Sequence, residues 1–397
     1  MRIAILSDFH LGYERFREDA LRQAGEALSA AADKADVLLI PGDIFDNREP
    51  SPDVLAEGIN LFRDLSKREW HARVSEFRGE GRTFTDVPIV AIPGTHERRA
   101  EGIEDPVDLL GLAGLLVDTT NACAIVERDG ERVAIRGLGG IAEDRFKEIM
   151  KREDPKPIEG MFNIFFFHQS IYEFLPFSQD FIKLDDLPDG FDLYVDGHIH
   201  GRIESSSHGK PLLIPGSTVL TQLKDGEQET KGFYVFDTLT KSYVFNEIGS
   251  RRFVLHRVSI EGKEPSEVTD DIESVVSAEA GKGGNPIVKI ELVGKLKAGY
   301  KGIEINSTEI VKHNSGKAIV EIGKDKIEAG QASAQGGLGE KMADGASIKD
   351  YGLGIFLEKV RNNGYDLKKS PIELFEDLSV GETKEKVVKR VMDDLLS

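Results

Sequence analysis

Five short motifs hold the residues able to do chemistry: Asp8-Phe9-His10, Gly42-Asp43-Ile44-Phe45-Asp46, Gly94-Thr95-His96-Glu97, His168-Gln169 and Gly197-His198-Ile199-His200. They contain five of the nine histidines. Imidazole with carboxylate is the donor set of Mn²⁺, Fe²⁺ or Zn²⁺. With one cysteine, Cys123, the chain can build neither a thiolate cluster nor an internal disulfide. Asp-x-His and His-x-His put alternate side chains of an extended segment on one face. A carboxylate such as Asp43 can bridge two ions. Ions ~3.5–4 Å apart can hold a phosphate oxygen, activate a water and neutralise a leaving oxygen. Each motif alone has a plainer reading: Gly42-Asp43 as a turn, His168 as a satisfied core histidine. Together, each following an apolar run, they point to a metal-dependent phosphoester hydrolase. His71, His208, His256 and His313 lack such a setting and read as surface or packing residues.

The elements that must position these motifs follow from the pattern. Residues 2–7, 37–40, 88–92, 133–137, 162–167, 193–195 and 212–214 read as short apolar strands. Residues 16–32 have a helical composition. Ser51-Pro52-Asp53 reads as an N-cap, a first-turn proline and a dipole-friendly acid, with Leu55, Ile59, Phe62 and Leu65 following at helical spacing. Strands separated by helices predict a layered α/β domain over residues 1–250, with its chemistry on loops at the strand ends.

Beyond residue 250 the texture changes. Strand patterns at 253–258, 288–292, 303–305 and 318–322, with a helix at 266–278, predict a small α+β domain over 251–323. Residues 324–349 are rich in Gly, Ala, Ser and Gln, the composition of a flexible linker. Residues 350–397 read as a helical module. Ser370-Pro371-Ile372-Glu373 forms a capping box, and Val387, Val388, Val391 and Leu395 give a final apolar stripe suited to docking on a partner.

In 397 residues, 51 basic against 70 acidic side chains leave a net charge of −19. That argues against bulk attraction to nucleic acid but allows a local basic patch or metal-assisted contact. No apolar run is long enough to span a bilayer, and Asp8 interrupts the first apolar run too soon for a signal peptide, so a soluble, cytoplasmic protein is expected.

The order and spacing of the five motifs resemble the calcineurin-like metallophosphoesterases over residues 1 to about 220. Within that superfamily the chain is similar to the double-strand-break repair nucleases of the Mre-eleven/SbcD type. The narrower signal lies in Ser7-Asp8-Phe9-His10-Leu11-Gly12-Tyr13-Glu14, Gly42-Asp43-Ile44-Phe45-Asp46 before Pro50-Ser51-Pro52, His168-Gln169, Gly197-His198-Ile199-His200 and Pro215-Gly216-Ser217. The resemblance implies a β-sandwich flanked by helices, a capping domain and C-terminal helices that bind an SMC-like coiled-coil ABC ATPase of the Rad-fifty/SbcC type.

It implies two Mn²⁺ ions: one on Asp8, His10, Asp43 and His200, the other sharing Asp43 and adding His168, His198 and residue 95. His96 is the implied catalytic histidine. Asp46 stands where relatives carry either a second catalytic histidine or an aspartate. Position 95 is usually asparagine in the family, so Thr95 predicts a weaker second site, or Glu97 as a substitute ligand. Implied activities are a 3′–5′ exonuclease on duplex DNA and an endonuclease on single strands. The implied assembly is a nucleoid-associated homodimer, through residues 16–32 and 51–70, forming a heterotetramer with the ATPase. Arg98 and Arg99 are the expected DNA contacts, joined by Lys289, Lys295, Lys297 and Lys301. The same ligands would serve a small-substrate phosphodiesterase or a weakly cutting DNA-end adaptor.

Overall fold

Alternation decides the architecture. In β1 (Arg2–Ile5), Ile3 and Ile5 face one way and Ala4 the other, and all three are inaccessible to solvent. A strand apolar on both faces belongs inside a sheet that is covered on both sides. The computed structural model, which describes residues 1–78, 86–99, 102–175, 181–224 and 229–327, has that arrangement.

After β1 the chain forms α1 (Arg17–Lys34), β2 (Val37–Pro41), α2 (Pro52–Ser66), β3 (Arg73–Arg78), β4 (Ile89–Ile92), α3 (Pro106–Leu112) and β5 (Val117–Asp118). Next come β6 (Cys123–Arg128), β7 (Glu131–Leu138), α4 (Glu143–Glu153), β8 (Phe162–Phe167), β9 (Leu193–Asp196), β10 (Ile203–Ser207), β11 (Lys210–Ile214), β12 (Gly232–Asp237) and β13 (Ser242–Glu247). One sheet runs β13-β12-β1-β2-β4-β5 and the other β10-β11-β9-β8-β7-β6-β3.

The two sheets pack face to face. Ile3, Ile5, Val37, Leu39, Val90 and Ile92 from the first meet Val133, Ile135, Ile164, Phe166 and Val195 from the second. On the outer face of the first sheet, Leu38 and Ile40 pack on Ala24, Ala27 and Leu28 of α1 and Phe62 of α2. On the outer face of the second, Phe165 and Phe167 pack on Phe146 and Met150 of α4. The result is a layered α/β sandwich. Strands β1, β2 and β4 are mutually parallel, as are β7, β8 and β9. Parallel strands deliver their C-terminal loops to one end of a sheet, which is where the five motifs begin.

Residues 253–327 form their own parallel sheet, β14 (Phe253–Ser259), β15 (Ile287–Val293) and β16 (Ile319–Gly323). Helices α5 (Pro265–Ala280) and α6 (Ser307–His313) accompany it around a separate apolar cluster that includes Ile260, Ile272, Ile290 and Ile310. The strand expected at 303–305 is instead a 3₁₀ turn at Gly302–Glu304. Ile305 is buried while Ile303 is 85% exposed, so the apparent alternation reported one anchored side chain rather than a ladder. Ile327 bridges Gly294 and packs on this cluster, so the fold continues past residue 323. The remainder of the 324–349 segment and the 350–397 module lie outside the described residues. Among the described residues, no helix is long and apolar enough to cross a membrane.

Glu279 on α5 ties this unit together. Lys282 lowers its carboxyl first, and Arg252 and His256 add to this against the effect of burial, holding it at about 2. A depressed carboxylate contributes stability above its ordinary value of 4.5 and loses it as pH falls towards 2. Glu279→Gln should therefore cost about 1–3 kcal/mol near pH 7. In thermal melts its deficit against the parent protein should shrink as pH drops from 4.5 towards 2.

Candidate metal centre

The loops after β1 and β2 are zipped together by their backbones, with the Asp8 amide donating to Gly42 O (3.2 Å) and the His10 amide to Asp43 O (3.1 Å). This needs unusual backbone: Asp8, His10, Asp43 and His198 all have positive φ, between 48° and 66°. Each such non-glycine residue costs about 1–3 kcal/mol, and such strain gathers at functional sites. Two glycines permit the close approach. A Cβ on Gly94 would lie 2.1 Å from Asp43 Oδ1, and one on Gly197 2.1 Å from Pro41 O and 2.6 Å from His168 Nδ1.

Three groups of side chains converge, each with its donor atoms within 4.8 Å of one another: Asp8, His10 and His200; Asp43, His168 and His198; His10, Asp46 and His96. Asp43 lies between the first two. Its Oδ2 is 3.3 Å from His168 Nε2 and 4.0 Å from His10 Nε2, while its Oδ1 accepts from the His96 amide at 3.0 Å. Asp8 Oδ1 is 3.8 Å from His10 Nε2 and 3.7 Å from His200 Nε2, and those two nitrogens are 3.1 Å apart.

The histidines are aimed by what their other nitrogens touch. His168 Nδ1 is 2.7 Å from Pro41 O, His10 Nδ1 3.0 Å from Asp46 Oδ1, and His200 Nδ1 contacts Thr221 Oγ1. All three therefore present Nε2 to the carboxylates. His198 is turned the other way, with Nδ1 3.5 Å from Thr95 Oγ1 and Nε2 3.4 Å from Glu143 Oε1.

These residues fit divalent cations. Both Asp8 oxygens, Asp43 Oδ2 and His168 Nε2 are buried without a well-formed hydrogen bond from the protein, and buried polar atoms are otherwise almost always satisfied. The charges agree. Burial pushes the Asp8 carboxyl up, whereas Asp43, also raised by burial, is pulled below the usual range by His168. Burial disfavours charge on His168, yet Asp43 and Asp8 raise it to about 10. Burial and neighbouring imidazoles lower His198 to about 4 and His200 to about 2, so both are neutral donors at physiological pH. An acidic pocket that retains a proton on His168 is one a cation can enter by displacing that proton.

Thr95 stands at the edge of the second group, with its hydroxyl beside His198. Glu97 is not a substitute ligand. It is fully buried, and its two oxygens accept the amides of Phe45 (2.8 Å) and Gly94 (2.9 Å), tying two site loops together. Burial, then Asp43, pushes this carboxyl well above the usual glutamate range. Glu97→Ala leaves two buried amides unpaired and should cost about 2–4 kcal/mol, read as a lower melting temperature together with weaker Mn²⁺ binding.

His96 is exposed, with Nδ1 2.9 Å from Asp46 O and its ring 4.9 Å from that of His10. Asp46 sits between the two imidazoles, its Oδ1 3.0 Å from His10 Nδ1 and 3.6 Å from His96 Nδ1. Arg98 is exposed nearby, whereas Arg99 is held by Glu49 at 2.9 Å. Lys289 and Lys297 each have a partner within the protein. Lys289 donates to Leu223 O at 2.7 Å and Lys297 pairs with Glu264. Lys295 is half-buried and Lys301 exposed.

The motifs did not reveal the partners that orient the ligands: Pro41 O, Glu143, Thr221 and the looping role of Glu97. The nearest sequence signal for Glu143 was its place in the first turn of a helix after Gly139-Gly140, and for Thr221 its position just after Pro215-Gly216-Ser217.

The chain is similar to known proteins along much of its length. The chain is 30% identical over 263 residues to the DNA double-strand break repair protein Mre11 of Methanopyrus kandleri, covering 60% of this chain and 54% of that one. It is 29% identical to the double-strand break repair protein MRE11 of Encephalitozoon cuniculi, covering 59% and 45%. The human protein of that name is 25% identical over 280 residues, covering 58% and 38%. The chain thus spans about half the length of the first of these relatives or less. Residues 1–202 match the calcineurin-like phosphoesterase model, a span that includes the candidate residues from Asp8 to His200, and the chain belongs to that family.

Proposed function

We propose that this chain is a Mn²⁺-dependent DNA nuclease that processes the ends of double-strand breaks, acting as a 3′–5′ exonuclease on duplexes and an endonuclease on single strands. The observation that carries the reading is Asp43, buried between two histidine sets beneath an exposed His96. One cation belongs to Asp8, His10, Asp43 and His200. The other belongs to Asp43, His168 and His198, and is the weaker because Thr95 replaces a carbonyl donor. When bound, two such cations bind phosphate oxygens, lower the pKa of a water and offset charge on the leaving oxygen.

The chain's own residues do the rest. Asp43 fixes the spacing of the two sites. The backbone oxygen of Asp46 engages His96 Nδ1, so Nε2 is the nitrogen turned to substrate, where it donates a proton to the departing sugar oxygen. Asp46 also steadies His10 and is a positioning residue. A groove of about 740 Å³, lined by Leu11, Tyr13, Arg15, Asp46, Asn47 and Ser51, borders the site at Asp46. Arg98, exposed two positions after His96, is the phosphate contact of this reading.

The same reading includes a nucleoid location, a homodimer through residues 16–32 and 51–70, and a heterotetramer with a coiled-coil ATPase docked on residues 350–397; the break-repair names of the relatives support its DNA-repair setting. The test uses purified protein with Mn²⁺ on end-labelled duplex DNA and on a chromogenic phosphodiester. Metal-dependent shortening of the DNA supports the nuclease. Hydrolysis of the small ester alone, unchanged when the ATPase partner is added, would replace it with a small-substrate enzyme.

A further inference from the structure

His198 is set differently from His10, His168 and His200: its Nδ1 lies beside Thr95 Oγ1, and Glu143 is the group beside its Nε2. The carboxylate Oε1 lies 3.4 Å from His198 Nε2. Glu143 opens α4, a helix that packs Phe146 and Met150 into the core beneath β8, so its backbone is firmly placed. The Ser170 hydroxyl donates to the same Oε1 from the loop that carries His168. Glu143 therefore touches His198 and, through Ser170, the loop that carries His168, without contacting His168 itself. It is not itself within the ligand cluster.

We infer that Glu143 is a positioning residue for the second cation: it holds the proton of His198 on Nε2 and so leaves the Nδ1 lone pair free to bind metal. This rests on the two-cation reading of the site. The physical need is specific. A neutral imidazole carries one N–H, and whichever nitrogen keeps it cannot ligate. Thr95 Oγ1, 3.5 Å from Nδ1, is able to accept a proton from the wrong nitrogen. Without a carboxylate at Nε2, the hydroxyl competes for the tautomer and the second site loses its imidazole donor. His10, His168 and His200 are independent of Glu143, because Asp46, Pro41 O and Thr221 set their orientation. Loss of a carboxylate behind a ligating histidine typically weakens metal binding about 10–100-fold. The effect should fall on one site only.

The experiment compares the full chain with Glu143→Ala and Glu143→Gln in calorimetric Mn²⁺ titrations, paired with electron paramagnetic resonance at two equivalents of Mn²⁺. Expected are two binding events in the parent and an alanine variant whose weaker event loses affinity about 10–100-fold while the tighter is unchanged. Its spin-coupled signal should be replaced by that of isolated Mn²⁺. The glutamine variant keeps an acceptor oxygen and should restore much of the second site. Unchanged affinities in Glu143→Ala, or equal weakening of both sites, would overturn the inference. A parent protein that binds fewer than two Mn²⁺ would instead overturn the two-cation reading on which it rests. A readout independent of any variant's folding is the ¹⁵N imidazole spectrum of the metal-free parent: the inference requires His198 as the Nε2–H tautomer, and an Nδ1–H tautomer contradicts it.

Discussion

Asp43→Asn is expected to reduce Mn²⁺-dependent phosphodiester cleavage by more than about 1000-fold and to weaken metal binding at both sites. Asparagine tolerates the left-handed backbone at position 43 (φ 51°) and matches aspartate in size, so the loop should survive the change. What is lost is charge between the two groups: Oδ2 lies 3.3 Å from His168 Nε2 and 4.0 Å from His10 Nε2. An amide ligates a cation weakly and bridges two poorly. A second readout needs no metal. Asp43 is the largest influence opposing burial at His168, so the imidazole should fall from about 10 towards or below the ordinary histidine range in the variant. The protonated form expected in the ¹⁵N spectrum of the parent near neutral pH should then give way to the neutral ring. Full activity with His168 still protonated would remove Asp43 from its assigned role.

His96→Ala should cost about 100–10 000-fold in turnover while leaving Mn²⁺ stoichiometry and affinity within about threefold of the parent. The separation follows from the geometry. It is the backbone amide of His96 that donates to Asp43 Oδ1, and alanine retains that amide. The ring is exposed and touches the centre only at its rim, 4.9 Å from His10. A proton donor of this kind matters most when the leaving oxygen is a poor leaving group. The loss should therefore shrink on a substrate with an activated phenolic leaving group and be largest on DNA. Equal losses on both substrates, accompanied by lost metal, would make His96 a ligand rather than an acid.

The candidate residues that the structure brings together were legible because their signal is local. Each motif directly follows a strand apolar on both faces, and such strands announce themselves as β1 and β2 do. What could not be read is whatever depends on contact between distant loops. Glu143 meets His198 across 55 positions, and Glu97 reaches back to Phe45 across 52. No spacing rule encodes either contact. An edge strand was missed for a related reason: β10, Ile203–Ser207, is too polar to show a buried face, and its pairing with β11 makes it a strand, whereas β13, Ser242–Glu247, does carry a signal in Tyr243 and Phe245, which alternate onto the core between the sheets. At residues 303–305 two isoleucines mimicked alternation in a segment too short for periodicity to separate a strand from a 3₁₀ turn. Lys289, a plausible DNA contact by charge, is instead spent on Leu223 O.

The central claim is that two carboxylates and four histidines form a pair of cation sites sharing Asp43. Its most direct measurement is Mn²⁺ anomalous scattering from crystals soaked in the metal. The account predicts two peaks per chain, ~3.5–4 Å apart, one beside Asp8, His10 and His200, the other beside His168 and His198, with Asp43 between them and lower occupancy in the second at limiting Mn²⁺. A single peak at saturating metal, or two peaks not sharing Asp43, would contradict it.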